Sequence, residues 1–140
     1  MKRVKKTVSI VVIAVLVIVL GSYAYSVFSG YEKEVMLKVN NHLEMDLDKV
    51  EFYISESGKE LYWGKVSNIK GGEVKEERLS FPSRRLTQDG SFRIVISVEG
   101  EKYKEEYFGY FTNGGPPSEE GFIFNIFNEK VDITPVECSY

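Results

Sequence analysis

Two hydrophobic periods divide the chain. From Val8 to Leu20 the apolar positions are almost continuous (VSIVVIAVLVIVL), inside an uncharged run from Thr7 to Tyr31. From Glu32 onward apolar and polar residues alternate in short segments separated by Gly, Pro, Asn and Ser. A continuous apolar run of this length belongs in a bilayer. Strict alternation marks strands with one face buried.

The first segment carries its own direction. Thr7 to Phe28 supplies 22 uncharged residues, against the roughly 20 that a helix rising about 1.5 Å per residue needs to cross the hydrocarbon. Much of it is Val and Ile, poor helix formers in water. Lipid offers the backbone no other hydrogen-bond partner, so a helix is forced there. Lys2, Arg3, Lys5 and Lys6 stand directly in front, a basic tail over 1–6 that holds the N-terminus in the cytoplasm. The second half, Gly21-Ser22-Tyr23-Ala24-Tyr25-Ser26-Val27-Phe28, is weaker, and its aromatic residues suit the outer interface. Two readings follow. The segment over 7–28 is a signal anchor in contact with the lipid bilayer, or it is a signal peptide cut near Ser22 and Ala24. Both place the remainder outside the cytoplasm, joined through a linker over 29–32.

Residues 33–140 read as strands and turns. Val35, Leu37 and Val39 share one face, as do Val50, Phe52 and Ile54, and Phe92, Ile94, Ile96 and Val98. Ser55-Glu56-Ser57-Gly58 should join Val50–Ser55 to Glu60–Val66 as a hairpin, and Glu99-Gly100-Glu101 should turn into Lys102–Phe111. Glu73 to Phe81, with charged outward positions, suits a sheet edge. Phe122–Phe127 and Lys130–Thr134 close the series. About eight short strands with no helical period after residue 30 predict an antiparallel β-sandwich. Its general plan resembles the immunoglobulin-like or the transthyretin-like one, without the Cys–Trp–Cys spacing of an immunoglobulin domain.

Composition narrows the function. The formal charge of -3 divides into +4 over residues 1–6 and -7 over the rest. An acidic domain with scattered basic residues repels phosphate backbones, so no nucleic acid is expected as partner. Cys138 is the single cysteine, which excludes an internal disulfide, and no cysteine follows the apolar run to carry a lipoprotein anchor. An exported domain without disulfides suits a bacterial envelope. A fold of roughly 110 residues needs neither a disulfide nor a metal to bury its core.

Candidate chemistry is sparse. His42 lies in a polar turn with no nucleophile placed beside it, and one His with one distant Cys makes no zinc cage. Glu44, Asp46 and Asp48 alternate as calcium ligands can, but without the sharp-turn glycine or distal bidentate Glu of a hand-like loop. Glu76-Glu77, Glu105-Glu106 and Glu119-Glu120 could serve glycoside hydrolysis only if two of them met across a cleft. Trp63 reads as core. Asn113-Gly114-Gly115-Pro116-Pro117-Ser118 reads as a connector, and Arg84-Arg85 as solvated charge. No cofactor and no metal is expected.

The most informative stretch is aromatic. In Tyr107-Phe108-Gly109-Tyr110-Phe111, plain alternation puts Tyr107, Gly109 and Phe111 on one face and Phe108 and Tyr110 on the other. In Phe122–Phe127 it opposes Phe122, Phe124 and Ile126 to Ile123, Asn125 and Phe127. Both strands are apolar on both sides, so the second face is either loop-covered core or an exposed aromatic surface carrying Phe108, Tyr110 and Phe127. The leading expectation is therefore a non-enzymatic, membrane-anchored binding or accessory module at the cell envelope. Its partner would be an envelope protein or a cell-wall component, and nothing in the pattern sets an oligomeric state. The alternatives are a hydrolytic enzyme, which requires a deep pocket with convergent ionisable groups, and an immunity-type protein that blocks a toxin at the membrane.

Overall fold

In the computed structural model, residues 2–28 and 32–139 are described, with helix side chains described over 7–25. Of the expected linker over 29–32, residues 29–31 lie outside the described residues. The chain divides into two units, 1–31 and 32–140.

The first unit is one helix, α1 (Lys2–Phe28). Within it Thr7–Tyr25, 19 residues of mean hydropathy 2.5, is long and apolar enough to cross a membrane, and none of that stretch is buried inside the protein. Over 7–25 its side chains are exposed all round, with no polar stripe.

The second unit is a two-layer sandwich. Its strands are β1 (Glu34–Asn41), β2 (Leu47–Glu56), β3 (Lys59–Ile69), β4 (Val74–Ser80), β5 (Gly90–Val98), β6 (Glu101–Phe111), β7 (Gly121–Ile126) and β8 (Val131–Val136). One sheet has the order β4-β1-β7-β8 and the other β3-β2-β5-β6. An immunoglobulin domain would instead group its strands 1-2-5-4 against 3-6-7. The observed order is that of the transthyretin-like plan. All pairs are antiparallel except β1 with β7, which run parallel in register from Met36↔Gly121 to Asn41↔Ile126.

The expected inward faces form the core. Val35, Leu37 and Val39 of β1, Val50, Phe52 and Ile54 of β2, and Phe92, Ile94 and Ile96 of β5 are buried against Phe122, Phe124 and Ile126 of β7. The β2–β3 hairpin closes through Ser57 (φ 47°) and Gly58 (φ 76°). Two left-handed residues give the turn whose twist matches the strands it joins. β4 is an edge strand, as its charges predict. β8 runs on through Pro135, opposite Phe122. Proline is tolerated there because the strand is an edge with a side free of ladder bonds.

Plain alternation fails at two places in β6. The register slips once between Ile96 and Ser97 and again between Gly90 and Phe92. At the second slip Gly109 takes φ +60°, and a Cβ there would lie 2.8 Å from Phe92 and 2.9 Å from Phe122. Only glycine accepts both the left-handed backbone and the close approach. As a result Phe108 and Phe111 both turn inward, at 6% and 2% exposure, while Tyr107 and Tyr110 stay outside. The expectation that Phe108 and Tyr110 share a face is thereby corrected. Phe108 packs on Phe52, Phe92, Phe122 and Phe124 with ring centroids 4.8–6.4 Å apart.

Candidate binding face and the cleft beside it

The three aromatic residues singled out in the sequence do not meet. Phe108 is core. Tyr110 lies outside and donates its hydroxyl to Asp89 Oδ2 at 2.9 Å, while Asp89 Oδ1 accepts from the Asn113 amide. Those two bonds, the amide first, hold the Asp89 carboxyl below its usual range. Phe127 follows β7 on the other sheet, stacked on His42 with centroids 4.6 Å apart and planes 8° apart. The His42 ring contacts Asn125 Oδ1 at 3.1 Å, so its hydrogen bonding is to an amide and not to a nucleophile.

A different set of residues does converge, on the outer face of β3-β2-β5-β6. Arg93 is its centre. Its guanidinium meets Glu60 through two hydrogen bonds, Nε to Oε2 at 2.8 Å and Nη2 to Oε1, and meets Glu105 Oε2 through Nη1 at 2.8 Å. The hydrogen bonds to Glu60, and after them the one to Glu105, raise the Arg93 pKa above even its ordinary range. Lys102 first and Arg93 second hold Glu105 below the usual carboxylate range. Arg93 Cζ sits 4.6 Å from the centroid of the Tyr53 ring, a cation–π contact. Tyr62 stands edge-on to Tyr53 at 5.6 Å, and Tyr107 is the cross-strand partner of Arg93.

Strand register explains the grouping. Tyr53 pairs with Arg93 on one side and with Tyr62 on the other, because β2 lies between β5 and β3. The result is a row Tyr62–Tyr53–Arg93–Tyr107 across the sheet. Tyr62 is 49% exposed and Tyr107 65%. Tyr53 is half-buried, and its hydroxyl bonds Glu51 at 3.2 Å. Burial first and then Glu51 raise the Tyr53 pKa, so it remains a neutral phenol. Tyrosines combine broad apolar rings with a polar tip, and fixing them beforehand lowers the entropy cost of binding.

The sequence pointed to Tyr53 as an outward position but not to this row. Counting back from the Glu99-Gly100 turn without a bulge would put Glu106 opposite Arg93. The slip at Ile96/Ser97 adds one residue and puts Tyr107 there instead.

Beside the row, under the β6 edge, a cleft of about 300 Å³ opens toward β8, lined by Tyr107, Phe108, Phe122, Ile133, Pro135 and Glu119. Glu120, the next residue, lines a separate cleft of about 310 Å³ with Lys33, Arg78 and Cys138. The pair Glu119-Glu120 therefore does not face a common space. A third cleft, about 340 Å³, lies at the β2–β3 turn beside Arg85. Its Glu56 accepts from the Thr87 amide and hydroxyl at 3.2–3.3 Å.

The remaining candidates are structural. Asp46 accepts from the Gly71 amide at 3.0 Å and Asp48 from the Gly100 amide, so the acidic series is directed at two separate turns. Among the described residues no group of three or more His, Cys, Asp or Glu side chains is placed to hold a metal ion. Trp63 packs on Phe81 and Phe92 and donates Nε1–H to the Ser80 carbonyl at 2.9 Å. Asn41, the last residue of β1, is buried. Its amide donates to the carbonyls of Met45, Ile69 and Lys70, and its oxygen accepts from Leu43.

No family model and no curated protein matches the chain. Among solved structures it is similar to a protein from Eubacterium rectale determined by NMR, 10% identical, over 76% of this chain and 92% of that one, with a TM-score of 0.41. A likeness of that size carries no argument about function.

Proposed function

We propose that this chain is a single-pass membrane protein of a bacterial envelope whose β-sandwich, held outside the cytoplasm by α1, binds a partner protein through the outer face of β3-β2-β5-β6. The observation that carries the reading is the row Tyr62–Tyr53–Arg93–Tyr107. Two exposed tyrosines flank an arginine fixed by two carboxylates and an aromatic ring. Tyrosine and arginine are the residue types most often found as anchors in protein interfaces, and here the arginine is already ordered before any partner arrives. The basic residues at the N-terminal end of α1 and the acidic domain behind it support the orientation.

The test is site-specific photo-cross-linking of the full-length chain in its own membrane. A photoreactive side chain at position 62 or 107 should give adducts of the same mass. The same group at Thr134, exposed on the opposite sheet, should give none. Tyr53→Ser should weaken the adduct at 62 while circular dichroism stays unchanged. Equal labelling from both sheets, or none from either, would remove the reading.

A further inference from the structure

We infer that the cleft at the β2–β3 turn is a subsite for a carboxylate on a short aliphatic stem. The inference stands apart from the partner reading, since no member of the row Tyr62–Tyr53–Arg93–Tyr107 lines this cleft.

The cleft opens where the β2–β3 hairpin meets the segment that follows the short 3-10 turn Ser83–Arg85. Leu61, half-buried, and Leu86, with Ile54 beneath, make its apolar side, and the exposed Lys59 and Arg85 line it as well. The two walls are tied to each other in advance. Glu56 accepts from the Thr87 amide and hydroxyl at 3.2–3.3 Å, and Ser57 donates its hydroxyl to Gln88. The Arg85 amide donates to the Pro82 carbonyl at 2.9 Å, which fixes the backbone from which the guanidinium extends.

The pairing of charges points to an anion. Strand register sets Lys59 directly opposite Glu56, the cross-strand partner that an ammonium ordinarily takes. Glu56 turns instead to Thr87, and Glu60 turns to Arg93, which holds both of its oxygens. Neither Lys59 nor Arg85 makes an ion pair among the described residues. Both acids of the cleft are thus supplied with donors, while both cations lack an acceptor. With Glu60 neutralised by Arg93, Lys59 and Arg85 outweigh Glu56 by one positive charge, which suits a monoanion.

The walls then select the kind of anion. The planar fork of arginine matches two carboxylate oxygens side by side, and a lysine ammonium adds a second charge-assisted contact. A stem laid on Leu61 and Leu86 removes apolar surface from water, so each buried methylene adds affinity. The neighbouring clefts lack this combination. No lysine or arginine lines the one around Glu119. Lys33 and Arg78 line the other, but Lys33 Nζ already donates to the carbonyls of Pro117 and Glu119 at 2.7 and 2.8 Å, and Arg78 pairs with Glu76 at 3.7 Å.

The experiment is a titration of the full-length chain in detergent micelles with sodium 4-methylpentanoate, followed by the NMR signals of labelled leucine methyl groups. The Leu61 and Leu86 methyls should shift and saturate while those of Leu37, in the core, stay still. 4-Methylpentanamide keeps the stem without the charge, and acetate keeps the charge without the stem. Each should bind at least about tenfold more weakly. Lys59→Met combined with Arg85→Met should abolish the preference for the acid over the amide, and Arg78→Met, in the next cleft, should leave it intact. Both replaced residues are exposed, so the double variant should keep its fold, which the unmoved Leu37 signals check. N-Acetyl-leucine distinguishes the source of the carboxylate: tighter binding than 4-methylpentanoate assigns it to the end of a peptide chain, weaker binding to a free acid. A shift that does not saturate, equal binding of the amide, or an unchanged preference in the double variant would overturn the inference.

Discussion

The two long sides of the sandwich are finished differently. On the β3/β4 side the layers are tied together: Trp63 reaches from β3 to the Ser80 carbonyl of β4, and Lys75 of β4 donates to the carbonyls of Ser67 and Asn68 at 3.1 and 2.9 Å. Leu79 fills the space over Gly64. On the β6/β8 side the ties among the described residues stand at one end, where Tyr103 and Lys104 bond the carbonyls of Asn128 and Phe127. The other end is left open as the cleft around Glu119. Both sides draw on the same aromatic core. The lesson is that the opening comes from missing polar bridges, and not from a poorly packed interior.

Three substitution or titration experiments bear on that contrast. The largest effect should come from the wall of the open side. Phe108→Ala removes a ring in contact with four others, which should cost about 4 kcal/mol in urea unfolding. Tyr110→Ala, two positions along, should move the midpoint far less, since it loses an exposed hydrogen bond to Asp89 and no core packing. Similar losses for the two would mean that the bulge at Gly109 does not sort them.

A smaller effect is expected on the closed side. Trp63→Phe keeps a ring against Phe92 but deletes the bond to Ser80, and should lower stability by about 1 kcal/mol. The diagnostic readout is hydrogen exchange in β4, which should quicken relative to β1. Uniform exchange across the two strands would show that the bridge does not hold the layers together.

The smallest effect is on acidification. Asp89 and Glu105 both have lowered pKa values in the folded chain. A lowered folded value contributes stability above the unfolded pKa, and that contribution is lost as pH falls through the folded one. The urea midpoint should therefore decline modestly from about pH 5 downward. The double change Asp89→Asn and Glu105→Gln should flatten part of that decline. A decline of the same size in both proteins would assign it to other carboxylates.

Much of the fold was legible because burial imposes a period. Val35, Leu37 and Val39, or Val50, Phe52 and Ile54, announce their strands and their inward face without ambiguity. The break at Val8–Leu20 is equally plain. The binding row was not legible, because it depends on register between strands far apart in sequence. Tyr53 and Arg93 are 40 positions apart, and nothing in either segment names the other. The bulges in β6 hide a second layer of information. A single glycine with a left-handed backbone takes Phe108 off the face of Tyr110 and into the core, and a glycine in a strand gives no sign of which way its neighbours will turn.

The parallel pairing of β1 with β7 also sets a timetable. Lys38 lies opposite Ile123, a separation of 85 positions, so the strand made first in the domain is completed only when nearly the last one is present. Closing such distant contacts is what slows β-rich chains. Until β7 arrives, β1 has β4 on one flank and an open ladder on the other. The newly made chain must therefore pass through a stage in which β1 awaits its second neighbour. The period of greatest exposure to misassembly falls between the synthesis of β4 and that of β7.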